Sequence, residues 1–291
     1  MSASATKTRP ARPRAAKAAD LARGLFFDGA WQLSSGGRLA TVINPATGKD
    51  LGTALDCTAV DVSRAVASAR QAFDGWRLVP AKERARMIRA AAAKLREHGR
   101  ELALMDTHDC GNPVAVTTFE VGATIEFMEY FAGLITELKG DTIPIGPGTL
   151  NYSTREPLGV VARICSFNHP ILYAAGKTAA PLVTGNTVVV KPAEQTPMST
   201  MRIAELWKDI FPPGVYNVVT GGREAGAALA DHPDVAKISL IGSPAAGRAV
   251  MASAASTIKR LTLELGGKNA FVACADTDPA AVAEGILKGL N

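Results

Sequence analysis

The chain has 291 residues, 47% of them hydrophobic and 20% charged. That composition can bury a full core and excludes general disorder, and no apolar run reaches the about 18 residues a membrane span needs. The net charge of +5 is local, because Lys7, Arg9, Arg12, Arg14 and Lys17 precede the first acid, Asp20; the nearly neutral remainder offers no nucleic-acid-binding face.

Residues 1–24, rich in Ala, Ser, Thr, Arg and Pro, read as a disordered basic tail. An Arg-rich, acid-poor start is also the composition of an organelle transit peptide. Residues 25–56 read as short strands and turns, with turns at Phe26–Gly29 and Asn44–Gly48. Helical periodicity follows over about Asp61–Trp76, with Val62, Ala65, Val66, Ala69 and Phe73 on one stripe. A second helix runs from Pro80 to about His98 on Met87, Ile88, Ala91 and Leu95. A third runs from Pro113 to about Leu138 on Val116, Val121, Ile125, Met128, Phe131 and Ile135. Residues 25–138 are thus a helical N-terminal part. Segment 139–157, with three glycines and three prolines, reads as an extended hairpin or linker.

From residue 158 the pattern becomes a regular alternation. Strands are predicted at Gly159–Ser166, Asn186–Val190, Val215–Val219, Ala236–Ile241, Arg260–Leu265 and Ala270–Cys274. Helices are predicted at Pro170–Val183, Thr196–Ile210, Glu224–Ala230 and Pro244–Ala254. Short apolar strands alternating with helices imply a doubly wound, Rossmann-like parallel α/β sheet over 158–275. Ligands bind at the carboxyl ends of such strands. The exits read Ser166-Phe167-Asn168-His169-Pro170, Lys191-Pro192-Ala193-Glu194, Thr220-Gly221-Gly222, Gly242-Ser243-Pro244 and Glu264-Leu265-Gly266-Gly267. There is no GxGxxG fingerprint. Ser243 as N-cap with Pro244 behind it opens a helix whose free N–H groups and dipole favour an anion. Lys191 and Glu194 offer a cation and an acceptor suited to ribose hydroxyls, or a solvated ion pair. Cys57, Cys110, Cys165 and Cys274 are far apart with no CxxC, and the four histidines lack ligand spacing. No metal is expected, and reduced thiols point to the cytoplasm.

Those blocks, together with Gly185–Pro197, Pro212–Gly221 and Leu263–Lys268, closely resemble the aldehyde dehydrogenase superfamily, in its order and approximate spacing, over about residues 25–291. The resemblance implies NAD(P)-dependent oxidation of an aldehyde to a carboxylic acid through a thiohemiacetal on a cysteine. It implies that Asn168 is the oxyanion donor and that Glu264 is the general base. A carboxylate enclosed by apolar neighbours is desolvated, which suits a base. It further implies cofactor contacts at Ser166, Phe167, Lys191, Glu194, Gly221, Gly242, Ser243 and Leu265. A carboxylate at Glu194 favours NAD, with NADP as the alternative. Intact relatives are expected to be homo-oligomers acting on small-molecule aldehydes, with no nucleic-acid or membrane partner. Phe119, Phe127, Tyr130 and Tyr173 are placed near a substrate tunnel, with core packing the better expectation for each.

Phe167 and Pro244 depart from the family's usual Trp and Thr. Counted by the same resemblance, the nucleophilic cysteine falls just past Asn291, and none of the four cysteines matches it. Cys165 reads as a buried strand thiol. The chain is therefore expected to be an N-terminal fragment without turnover of its own, with 276–291 opening a truncated catalytic domain. The alternatives are a non-catalytic nucleotide- or partner-binding module and a misfolding-prone remnant.

Overall fold

A seven-stranded sheet organises the chain in a computed structural model that describes residues 24–289. The basic tail lies outside the described residues, Gly24 excepted. The strands of this sheet are β1 (Leu25–Phe27), β2 (Ala30–Trp31), β7 (Val160–Ile164), β8 (Thr187–Lys191), β9 (Tyr216–Val219), β10 (Val235–Gly242) and β11 (Arg260–Leu265). Their order is β11-β10-β7-β8-β9-β1-β2. The last five in sequence run parallel, and β1 and β2 close the far edge antiparallel. The predicted parallel α/β class holds, and the antiparallel edge is an addition to it. Two small antiparallel pairs lie outside this sheet: β3 (Arg38–Ile43) with β4 (Asp50–Asp56), and β5 (Thr142–Ile143) with β6 (Asn151–Tyr152). The second pair is exposed and falls in the segment read as a hairpin or linker.

Strand alternation sorts the side chains into two cores. Val161, Cys165, Val188, Val190 and Val218 face the helices α2 (Ala81–Glu97), α3 (Gly99–Cys110) and α4 (Val114–Leu134), together with the short α5 (Pro170–Ala174) and α6 (Ala179–Val183) and the longer α7 (Met198–Trp207). Val160, Ala162, Ile164, Val189 and Val219 face α1 (Ala59–Trp76), α8 (Arg223–Asp231) and α9 (Pro244–Ala254). α1 starts sharply because Thr58 and Asp61 form a capping box. Asp61 also accepts from the Ser34 hydroxyl at 2.5 Å and the Ser35 amide at 2.8 Å, which ties the β3 approach to that helix.

A helix is added to the predicted elements, and two predicted elements come out differently. Between His98 and Pro113 the sequence pattern shows no helix, yet α3 is there. It buries Asp106 and Asp109 beside Leu102 and Ala103, so its inward stripe is half polar and escapes an apolar period. Pro170–Val183 is two short helices broken at Gly176–Thr178. There the Thr178 hydroxyl donates to the Ala175 carbonyl at 2.7 Å, and Gly176 lies against Thr124. Ala270–Cys274 is not a strand: it has no neighbour to pair with, and Val272 is exposed. A final helix, α10 (Pro279–Gly289), follows.

Candidate active site and cofactor cleft

Parallel register puts the predicted exits on one rim. Ile164 pairs with Lys191 and with Leu240, and Ile241 pairs with Glu264. Lys191 and Glu264 are three strand spacings apart, about 14 Å. A cleft of about 790 Å³ opens at this rim on the α8–α9 face. It is lined by Ser166, Phe167, Lys191, Glu194, Gly242 and Ser243, six of the ten predicted positions. Asn168, Gly221, Glu264 and Leu265 are outside its lining.

Each lining group has an identifiable placement. Lys191 ends β8 and is buried. Its Nζ donates to the Gly221 carbonyl at 2.5 Å and the Pro192 carbonyl at 3.0 Å. Burial holds its ammonium below the usual lysine range. Gly221 therefore acts on the cleft through Lys191. Its φ of +130° suits glycine, and a side chain there would also meet Asp56. Glu194 is exposed, and its carboxylate fills the space a Cβ on Gly222 would need. The Gly222 amide donates to Asp56 Oδ1 at 3.1 Å. Gly222 and Asp56 are thus the supports that the sequence reading did not single out.

At the β10 exit the Ser243 hydroxyl accepts from Ala246 N at 3.1 Å, and its carbonyl accepts from Gly247 N. Pro244 has no N–H, so the first turn offers an anion the single amide of Ala245. This is fewer than the several free N–H groups expected for this helix start. Leu265 packs its side chain on Gly247, closing the helix against β11 instead of lining the cleft.

Asn168 is exposed on the β7 exit loop. Ser166 Oγ donates to its Oδ1 at 2.8 Å, which leaves Nδ2 as the donor end of the amide. Glu264 corrects an expectation. It is exposed, because β11 is an edge strand with a neighbour on one side only. Leu261 and Leu263 pack into the α1–α8–α9 core, so alternation sends Glu264 to the face opposite the cleft. The buried Arg163 guanidinium shares that face, fixed by the Tyr173 carbonyl and the Ser239 hydroxyl and held below its usual range mainly by burial. Phe119 and Tyr130, expected in the core, are exposed at 74% and 61%; they sit on the outer face of α4. Phe127 stacks on Phe131, and Tyr173 is half-buried.

None of the cysteines is set up as a nucleophile beside the cleft. Cys165 borders it but is buried, which pushes its thiol up to about 11. Burial pushes Cys57 up to about 12 and Cys110 up to about 11. Cys274 is exposed on the irregular segment after β11.

Known proteins resemble this chain in sequence and fold. The chain is 43% identical over 286 residues to aldehyde dehydrogenase tropH of Talaromyces stipitatus, covering 97% of this chain and 55% of that one. It is 42% identical over 271 residues to the putative aldehyde dehydrogenase DhaS of Bacillus subtilis, covering 91% and 55%. The NAD+ complex of a Bacillus cereus aldehyde dehydrogenase superposes with a TM-score of 0.87 at 39% identity, over 91% of this chain and 55% of that one. The chain thus spans about half the length of the curated relatives it matches. Because the sequence profile of the aldehyde dehydrogenase family matches residues 31–291, nearly all that is described above, the chain belongs to that family.

Proposed function

We propose that this chain is the cofactor-binding part of an NAD-dependent enzyme that oxidises an aldehyde to a carboxylic acid. The observation that carries this reading is the cleft at the parallel strand exits, with Lys191 and Glu194 on one side and the Gly242-Ser243 helix start on the other. The fit to a dinucleotide rests on the residues themselves. Gly222 leaves room for the Glu194 carboxylate, and the helix start at Ser243 faces the cleft with its positive end. When bound, NAD accepts the hydride that leaves the substrate carbon. Glu194 receives the ribose hydroxyls and repels a 2′-phosphate, which favours NAD over NADP. Asn168 Nδ2 donates to the carbonyl oxygen as negative charge gathers there. Glu264 takes the proton from the attacking thiol or water. The thiol comes from none of Cys57, Cys110, Cys165 and Cys274. A cytoplasmic setting fits their unpaired state, and homo-oligomers are the assembly we propose for the whole protein.

Calorimetry on the polypeptide 1–291 tests the reading. Heat is expected on adding NAD at millimolar concentration, with a weaker response to NADP. Mixing the same polypeptide with NAD and a small aldehyde is expected to give no NADH absorbance. No heat with either dinucleotide would overturn the cofactor assignment. NADH formation that Cys165→Ala abolishes would overturn the account of the cysteines.

A further inference from the structure

The loop carrying Asn168 is gripped from outside the sheet. Asn112 Nδ2 donates to the Asn168 carbonyl at 2.8 Å. Asp106 Oδ2 accepts from the Ile171 amide at 3.1 Å. Between these two contacts, His169 Nδ1 meets the Glu120 carboxylate. Asp106, Asn112 and Glu120 all belong to the α3–α4 corner, so one part of the fold holds the loop at three points, Asn168, His169 and Ile171.

The middle contact differs from the others in joining two titratable side chains. Glu120 is buried, and its Oε2 has no partner among the described residues. A buried carboxylate with one bare oxygen is costly unless a cation shares its charge, and His169 is the cation within reach. The His169 ring packs edge-on against Tyr173 with centroids 5.7 Å apart. The Tyr173 phenol faces the Asn168 side chain, whose Oδ1 is already held by Ser166. A continuous line of contacts therefore runs from Glu120 through His169 and Tyr173 to the Asn168 amide.

We propose that Glu120 and His169 are positioning residues whose ion pair sets the Asn168 amide, so that the placement of this donor follows the protonation of His169. The proposal takes the role of Asn168 from the reading above. The groups facing the pair are Asp106 and Cys110 from α3 and Tyr173 from α5. The hydrogen bond that His169 donates to Glu120 raises its imidazolium above the usual range, against an opposing effect of burial, and Asp106 adds to the rise. The sign follows. The ion pair holds while His169 is protonated and Glu120 ionised, and it is lost as pH rises through the elevated His169 value.

Nuclear magnetic resonance on isotope-labelled 1–291 decides it. The His169 imidazole is expected to titrate above the ordinary histidine range, and the Asn168 side-chain carbons, which do not exchange with water, are expected to shift with the same midpoint. The buried Asn217 amide, held by the Val188 and Gly214 carbonyls, is expected to stay still. In Glu120→Gln both midpoints should fall together. If that variant fails to fold, His169→Gln should remove the His169 midpoint from the Asn168 carbons. Asn168 carbons that ignore the His169 titration in the unmodified chain would overturn the proposal. Failure of the dehydrogenase reading would register separately, as an absence of shifts at Ser166 and Lys191 on adding NAD.

Discussion

Glu194 and Gly222 share one small volume, and that sharing sets the cofactor preference we propose. Glu194→Gln keeps the shape and removes the charge. Losing a charged hydrogen bond costs about 1.5–3 kcal/mol, so NAD affinity on 1–291 should fall at least roughly tenfold, and the gap to NADP should narrow. Titration calorimetry with both dinucleotides checks this, and an unchanged ratio would remove Glu194 from the ribose site. At this scale the sequence showed which residue types leave each strand. It did not show which face they take. Leu261-Thr262-Leu263-Glu264-Leu265 reads as an acid in apolar surroundings, but alternation on an edge strand sends Glu264 away from the leucines that suggested its burial. Asp56, far from Gly222 in sequence, carried no local sign that it would support the cleft.

Among the elements, α1 starts on a reciprocal cap in which Asp61 carries most of the contacts. Asp61 is buried, and the hydrogen bonds from Ser34, Ser35 and Thr58 outweigh the opposing effect of burial to hold its carboxyl below the usual range. Asp61→Ala removes the reciprocal half of the capping box and strands those donors, at a cost of about 2–3 kcal/mol, read as a lower urea midpoint with an unchanged slope. The sign with pH follows from the lowered value: the contribution is full above the unfolded aspartate range, near pH 4, and is lost as pH falls through the folded value. The variant should therefore show a shallower loss of stability on acidification. Apolar periodicity was enough to find α1, α2 and α4. It missed α3, because that helix spends its inward face on Asp106 and Asp109, which accept from the amides of Ile171 and Met198 at the starts of α5 and α7. A helix that caps other helices writes polar residues where a core helix writes leucines.

For the molecule as a whole, those two carboxylates work against stability at neutral pH. Burial pushes Asp106 up to about 7 and Asp109 well above the usual carboxylate range. The folded state then binds more protons than the unfolded chain between about pH 4 and 7, so on this account stability declines as pH rises through that window. Asp106→Asn keeps an acceptor for Ile171 and carries no charge. It should be more stable than the unmodified chain at pH 8, by on the order of 1 kcal/mol, and should lose that advantage near pH 4. Urea melts at the two pH values test it, and a deficit at pH 8 would contradict the burial argument. The parallel sheet was legible as alternating short strands and helices. Its antiparallel edge was not, because β1 and β2 are too short to carry a period and β1 docks on a strand far downstream.

That distant partner has a kinetic consequence. Leu25 and Phe26 dock on Val219 and Val218, roughly 190 residues downstream. On a ribosome adding about 5–20 residues per second, the first strand waits on the order of 10 to 40 seconds for the surface that will hide its leucine and phenylalanines. During that interval the nascent chain presents an apolar stretch to everything around it, and a chaperone that shields residues 25–27 would have the most to do early in translation.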